Sequence, residues 1–180
     1  MLKTYITAVP LQGSRGIEKV LYRSADTRQP VQPTQFPIVQ ILRGTLTPQD
    51  TVKVIAVMPD NPDTRRNLNS LQEELSSFGI KQVQILPLPE VPDSRTMAHL
   101  CCRLTDAIPQ NSLVYACITY GTKPLALAMT AALTRAETAR GAKAAGLYYG
   151  ELQRRDGKFT GEAHLYNELP LLHLADGAPA

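Results

Sequence analysis

Cysteine is scarce in this chain: there are three, and two of them, Cys101 and Cys102, are adjacent. That arrangement supplies neither a CxxC metal pair nor an even disulfide set. On a helix, adjacent cysteines place one side chain toward the core and the other on its flank, a structural role. Long hydrophobic runs are missing as well, since no apolar stretch approaches the roughly 20 residues that a membrane-spanning helix needs. Blocks of like charge and low-complexity tracts are absent, and with 43% hydrophobic and 19% charged residues the composition is that of a globular domain. A net charge of +3 from scattered basic residues is too mild for a duplex-nucleic-acid reader and suits a small anionic ligand better. No signal peptide opens the chain, so the expected compartment is the cytoplasm, without membrane contact.

Familiar catalytic signatures are also lacking. Gly13 and Gly16 do not make GxGxxG, and the "GTK" at Gly121 has neither the earlier glycine nor the following Ser/Thr of a Walker loop. There is no GxSxG elbow and no HExxH. His99, His164 and His173 lie far apart in sequence, and each is read as surface or helix-face packing. The expectation is a protein without a metal or a cofactor.

What is present is a rhythm. Strand-like segments run over Lys3 to Val9, Thr51 to Met58, Gln82 to Leu86, Ser112 to Thr119 and Ala144 to Leu152, the last four at intervals of about 30 residues. Leu68, Leu71, Leu75 and Phe78 repeat at helical spacing after Asp60-Asn61-Pro62-Asp63, and Gly79 stops the pattern, which predicts a helix from Thr64 to Phe78. Ser94 as N-cap and Met97, Leu100, Cys101 and Leu104 on one face predict a second, from Ser94 to Ala107. Pro124 fits the first turn of a third, whose residues Leu125 to Thr138 are apolar or small on most sides and predict the most buried helix. Residues 22–37 carry three prolines and read as a long loop before a short helix around Ile38 to Leu42. Asp156-Gly157 reads as the turn of a C-terminal β-hairpin.

Strands alternating with helices at this spacing predict an α/β fold: a Rossmann-like, mostly parallel sheet with helices on both faces and a C-terminal β-hairpin. One domain over residues 1–170 is expected, with 171–180 as a tail or the start of a linker.

In such sheets ligands bind beyond the carboxyl ends of the strands. The stretch "CITYGTKP" falls there. Gly121 lets backbone approach a ligand, Thr122 or Lys123 can cap the following helix, and free N–H groups with the helix dipole favour an anion. Lys123 adds a point charge for a phosphate, Thr119 and Tyr120 add hydroxyls, and the Tyr120 ring offers a stacking face for a base. The same residue types also serve plain turning and capping.

These residues resemble the signature of the CRISPR-associated Rossmann fold (CARF) family: Asp or Asn, then Ser or Thr two residues later, then Arg or Lys four residues after that. Thr119 and Lys123 match, and Cys117 stands where the family usually has Asp or Asn. The order of "TYITAVPLQG", "VLYRSADT", "FPIVQIL", "DTVKVIAVM" and "GLYYGEL" extends the similarity over nearly the whole chain. The resemblance implies a homodimer that binds cyclic oligoadenylate, tetra- or hexa-adenylate, across its two-fold axis as the sensor of a type III CRISPR antiviral effector. Each chain contributes Thr119, Tyr120, Gly121, Thr122 and Lys123, together with Leu11, Gln12, Gly13 and Ser14 of the first-strand loop, and Arg23 and Ser24 as a rim. No catalytic residue is singled out. A stand-alone, metal-independent ring nuclease, using ribose 2′-hydroxyl attack, is the alternative, and a metabolic nucleotide-binding enzyme a third reading. No RxxxxH ribonuclease motif or basic DNA-reading helix appears, so any effector is expected to be a fused domain outside this chain.

Overall fold

The computed structural model describes residues 1–11, 17–24, 31–89 and 91–174. Its elements are β1 (Leu2–Ala8), β2 (Leu21–Arg23), α1 (Pro37–Thr45), β3 (Thr51–Pro59), α2 (Pro62–Ser76), β4 (Gln84–Leu88), α3 (Ser94–Ala107), β5 (Leu113–Cys117), α4 (Lys123–Arg140), β6 (Lys143–Arg155), β7 (Lys158–Asn167) and α5 (Leu169–Leu174). They build a seven-stranded sheet in the order β2-β7-β6-β5-β1-β3-β4. The β6-β5-β1-β3-β4 portion is parallel throughout, with β1 in the middle.

Alternation along the strands sends side chains to two separate cores. Ile6, Ile55, Val57, Val114 and Ala116 pack with α3 and α4 on one face, while Tyr5, Val54, Ala56, Tyr115 and Cys117 pack with α1 and α2 on the other. Tyr5 and Tyr115, partners in the β1–β5 register, stack with ring centroids 5.2 Å apart. The Rossmann-like expectation is met, and the central strands are buried on both sides, as parallel sheets require.

Several boundaries differ from the sequence reading for identifiable reasons. Helix α2 starts at Pro62 because Asn61 caps it: Asn61 Oδ1 accepts from Thr64 N–H at 3.0 Å, and Asn61 N–H donates to Thr64 Oγ1 at 3.3 Å. Helix α3 is capped by Asp93, not Ser94, with Thr96 N–H donating to its carboxylate at 2.7 Å. Strand β4 lies two residues later than expected, with Pro87 tolerated because this is an edge strand. Helix α4 is not the most buried. It leaves Leu127 71% exposed, whereas α1 buries residues 37–42 in succession.

The stretch 22–37 is not a continuous loop, because residues 21–23 form β2 along β7 and Val20 bridges to Thr34. Asp156 and Gly157 both take positive φ, 51° and 76°, as a two-residue type I′ turn demands, so the hairpin stands as read. The tail begins with α5, which ends at Leu174.

Candidate functional site

The strand order places a topological switch point between β1 and β5. The chain leaves β1 toward α1 and α2 on one face and β5 toward α4 on the other, so the carboxyl ends of these two strands flank an open crevice. Gly121 sits in that crevice with φ of +99°. A Cβ at this position would come within 2.7 Å of Leu125 Cδ2 and 3.4 Å of Ala8 Cβ, so only glycine lets the end of β5 close over the end of β1.

Thr122 then caps α4, its hydroxyl accepting from Leu125 N–H at 3.4 Å, and Pro124 follows in the first turn. Gly121, Thr122 and Lys123 are all exposed, and Lys123 is the first residue of α4. The Lys123 ammonium makes no ion pair with any described residue. A cation and the positive end of an 18-residue helix therefore meet at the crevice, an arrangement that attracts anions.

Thr119 and Tyr120 have other partners. Gly150 N–H of β6 donates to Thr119 Oγ1 at 2.8 Å, and Thr119 Oγ1 lies 3.2 Å from Cys117 Sγ. Tyr120 donates its hydroxyl proton to Gln35 O at 2.7 Å and lies 3.3 Å from the Tyr22 hydroxyl, which can donate to it in turn. Burial above all, then the neighbouring Tyr22, holds the Tyr120 phenol far above its ordinary pKa, so it stays protonated. Burial also pushes up the thiol of Cys117, which is fully enclosed. Both hydroxyls thus fasten the end of β5 to its neighbours.

Thr119→Val removes the acceptor while nearly keeping the shape. The buried Gly150 N–H then loses its partner, and chemical denaturation should report a loss of about 1–3 kcal/mol, whereas Thr119→Ser should recover most of it. Equal losses in both variants would mean that the hydrogen bond contributes nothing.

Of the remaining sequence candidates, Gln12, Gly13 and Ser14 lie outside the described residues. Leu11 is 51% exposed just past Pro10, whose carbonyl accepts from Asn67 Nδ2 at 2.8 Å, fixing the exit of β1 against α2. Arg23 lies on the edge strand β2, and its Nη2 donates to Glu162 at 2.7 Å. It borders a separate cavity of about 350 Å³ with Gln153, Arg155 and His164. Half-buried Ser24 follows it. The fold thus gathers residues 119–123 at the crevice and sets Arg23 apart from them.

Sequence reasoning missed a cavity of about 570 Å³ on the α1 and α2 face, beside the crevice. Thr119 and Tyr120, Gly150 and Leu152 of β6, Tyr22 and Phe159 are among the residues that line it. Gly150 is closely approached: a Cβ there would lie 3.1 Å from Tyr22 Cε1 and 3.2 Å from Thr119 Oγ1, so those side chains would have to shift by a few tenths of an ångström to admit one. The available signal was the apolar Leu152, 44% exposed in an otherwise polar stretch of hairpin.

Among the described residues no group of three or more His, Cys, Asp or Glu side chains could hold a metal ion, and no helix is long and apolar enough to cross a membrane. Cys101 packs against the α3 and α4 core, and Cys102 is exposed. No protein-family model matches the chain, and a search of curated proteins returns no match.

Proposed function

We propose that this protein is a homodimeric receptor for a cyclic oligoadenylate, the tetra- or hexa-adenylate, in the manner of the CARF family, and serves as the sensor of a type III CRISPR antiviral effector. The observation that carries the proposal is the exposed Gly121-Thr122-Lys123 turn at the β1/β5 switch point, where a lysine with no ion pair among the described residues opens a capped helix N-terminus. A ring of phosphodiesters carries one negative charge per nucleotide, and two copies of this turn about a two-fold axis match its rotational symmetry.

Position 117 departs from the family: where Asp or Asn is usual, this chain has a buried neutral thiol, so any role of that acidic or amide residue is not carried over, while Thr119 and Lys123 remain in place. Pairing of two chains is supported by the groove between α3 and α4. Its wall includes Met97, Cys101, Pro124, Leu127 and Ala131, it starts one residue beyond Lys123, and it leaves Leu127 largely exposed. A two-fold axis along this groove keeps both switch-point edges on the same side, facing a single ring.

Binding without cleavage is favoured over a ring nuclease because the Thr119 hydroxyl, the nearest candidate for handling a reacting phosphate, is engaged with Gly150 and Cys117. Native mass spectrometry of the purified chain with cyclic tri-, tetra- and hexa-adenylate, sampled over an hour without metal, tests the proposal. A dimer holding one intact ring is expected. Conversion to linear products would make the protein a nuclease, and no adduct with any ring would end the family reading. Lys123→Ala should weaken ring binding by about 1.5–3 kcal/mol, the worth of a charged hydrogen bond. Unchanged affinity in a calorimetric titration removes Lys123 from the site.

A further inference from the structure

The cavity of about 350 Å³ beside Arg23 lies on the β6–β7 hairpin, and none of the residues 119–123 lines it. Arg23, Arg154, Arg155 and His164 border it, and the one carboxylate among its lining residues is Glu162. That carboxylate is already engaged, because Arg23 donates to it from Nη2 at 2.7 Å and from Nε at 3.2 Å. Arg154 makes one long hydrogen bond, from Nη1 to Gly157 O at 3.3 Å, and neither it nor Arg155 forms an ion pair with a described residue. Two exposed guanidinium groups thus border the cavity without a counter-charge among the described residues.

Two features of the hairpin concentrate this charge. In a regular strand successive side chains point to opposite faces, so Arg154 and Arg155 would part. The register of β6 against β7 shifts between Leu152 and Arg154, and with that irregularity Gln153, Arg154 and Arg155 all border the same cavity. The second feature is a mismatch of charge: Arg155 stands directly opposite Lys158 in the antiparallel register, and like charges so placed repel and cost stability. Asp156, in the turn between them, forms no ion pair with either. A carboxylate at position 155 or 158 would remove the repulsion, yet both positions hold cations.

The complement of such a cluster is an anion with several oxygens. One carboxylate occupies one guanidinium fork, as Glu162 does with Arg23, whereas a phosphate group offers three acceptor oxygens and more than one charge to adjacent forks. We infer that the hairpin cavity is a binding site for phosphate groups, with Arg154 and Arg155 as the forks that take the ligand, Arg23 held beside them by Glu162, and Lys158 adding charge from across the hairpin. A terminal phosphate of a small molecule and the phosphodiester backbone of a single strand share this chemistry. The site is independent of the receptor function proposed above, because it sits on the β2-β7-β6 side of the sheet and the crevice lies between β1 and β5.

The test is a calorimetric titration, at low salt, of inorganic pyrophosphate and of single-stranded oligothymidylate into the wild-type chain, Lys123→Ala and the double variant Arg154→Gln/Arg155→Gln. All three side chains are exposed, so the substitutions leave the core alone, and circular dichroism should be unchanged. At least one of the two anions should bind the wild type and Lys123→Ala alike, lose at least tenfold in affinity for the double variant, and bind more weakly as salt is added. The same anion should raise the thermal midpoint of the wild type and leave that of the double variant where it was. Tighter binding of pyrophosphate identifies terminal phosphates as the ligand, and tighter binding of oligothymidylate identifies a phosphodiester backbone. Equal affinity for the wild type and the double variant, a loss that follows Lys123→Ala instead, or no binding of either anion to the wild type would each overturn the hairpin site.

Discussion

Tyr120→Ala is expected to lower the unfolding free energy by about 3–5 kcal/mol, and Tyr120→Phe by about 1–3 kcal/mol, in urea titrations at neutral pH. The larger figure is that of deleting an aromatic ring packed inside a core. Tyr120 touches both cores, and its ring meets Phe36 edge-on with centroids 6.5 Å apart. The smaller figure is the cost of the hydroxyl alone, whose loss strips Gln35 O of its donor and Tyr22 of its acceptor. Alanine should also collapse the wall shared by the crevice and the neighbouring cavity, so ligand affinity should fall with stability in that variant only. Equal stability of the phenylalanine variant and the wild type would show that the chain Tyr22–Tyr120–Gln35 contributes nothing.

The second large effect concerns acid. Asp50 binds the Lys3 ammonium at 2.6 Å and the N-terminal ammonium at 3.3 Å, and it accepts from Thr47 N–H at 2.8 Å and from the Thr47 hydroxyl at 2.7 Å. Hydrogen bonding from Lys3 first, then from Thr47, holds its carboxyl far below the ordinary value of 3.8. A carboxylate whose pKa is depressed by folding binds fewer protons in the folded chain than in the unfolded one. Its stabilising contribution is therefore complete above 3.8 and drains away as pH falls below that value toward the folded pKa. Asp50→Asn should be less stable than the wild type at pH 7, because Lys3, buried on the central strand β1, loses its counter-charge and is left with the neutral acceptor Thr45 O at 2.5 Å. Below 3.8 the two stability curves should converge. Curves that stay parallel down the acid limb would show that Asp50 titrates without coupling to folding.

The alternation of strand and helix patterns carried the parallel sheet because each pattern reflects which faces an element must bury. Asn61 and Asp93 show the limit of local reading: both helices were legible, yet which polar residue would cap them depended on the backbone entering each helix. Strand β2 was illegible for a different reason. Three residues carry no period, and their pairing with β7 joins positions some 140 apart, such as Leu21 and Glu162.

At the candidate site the chain announced its chemistry in one contiguous stretch. Residues 119–123 are adjacent in sequence, so their union needed no fold, and the capping role of Thr122 followed from residue type. What each group does was decided elsewhere. Gly150, distant in sequence, claims the Thr119 hydroxyl, and Gln35 claims that of Tyr120, which turns two apparent ligand donors into fastenings. Lys123 is left exposed at the first turn of α4, without an ion pair among the described residues.

The sequence by itself therefore determined the class of fold, the I′ hairpin turn and the residues that meet at the end of the central strand, since local period, turn chemistry and capping act over a few residues. Tertiary structure alone decided the strand order that makes β1 and β5 a switch point, the partners that occupy the hydroxyls, and the aromatic cavity beside them. These arise from pairings between distant segments, whose free energy exists only once the chain has closed on itself.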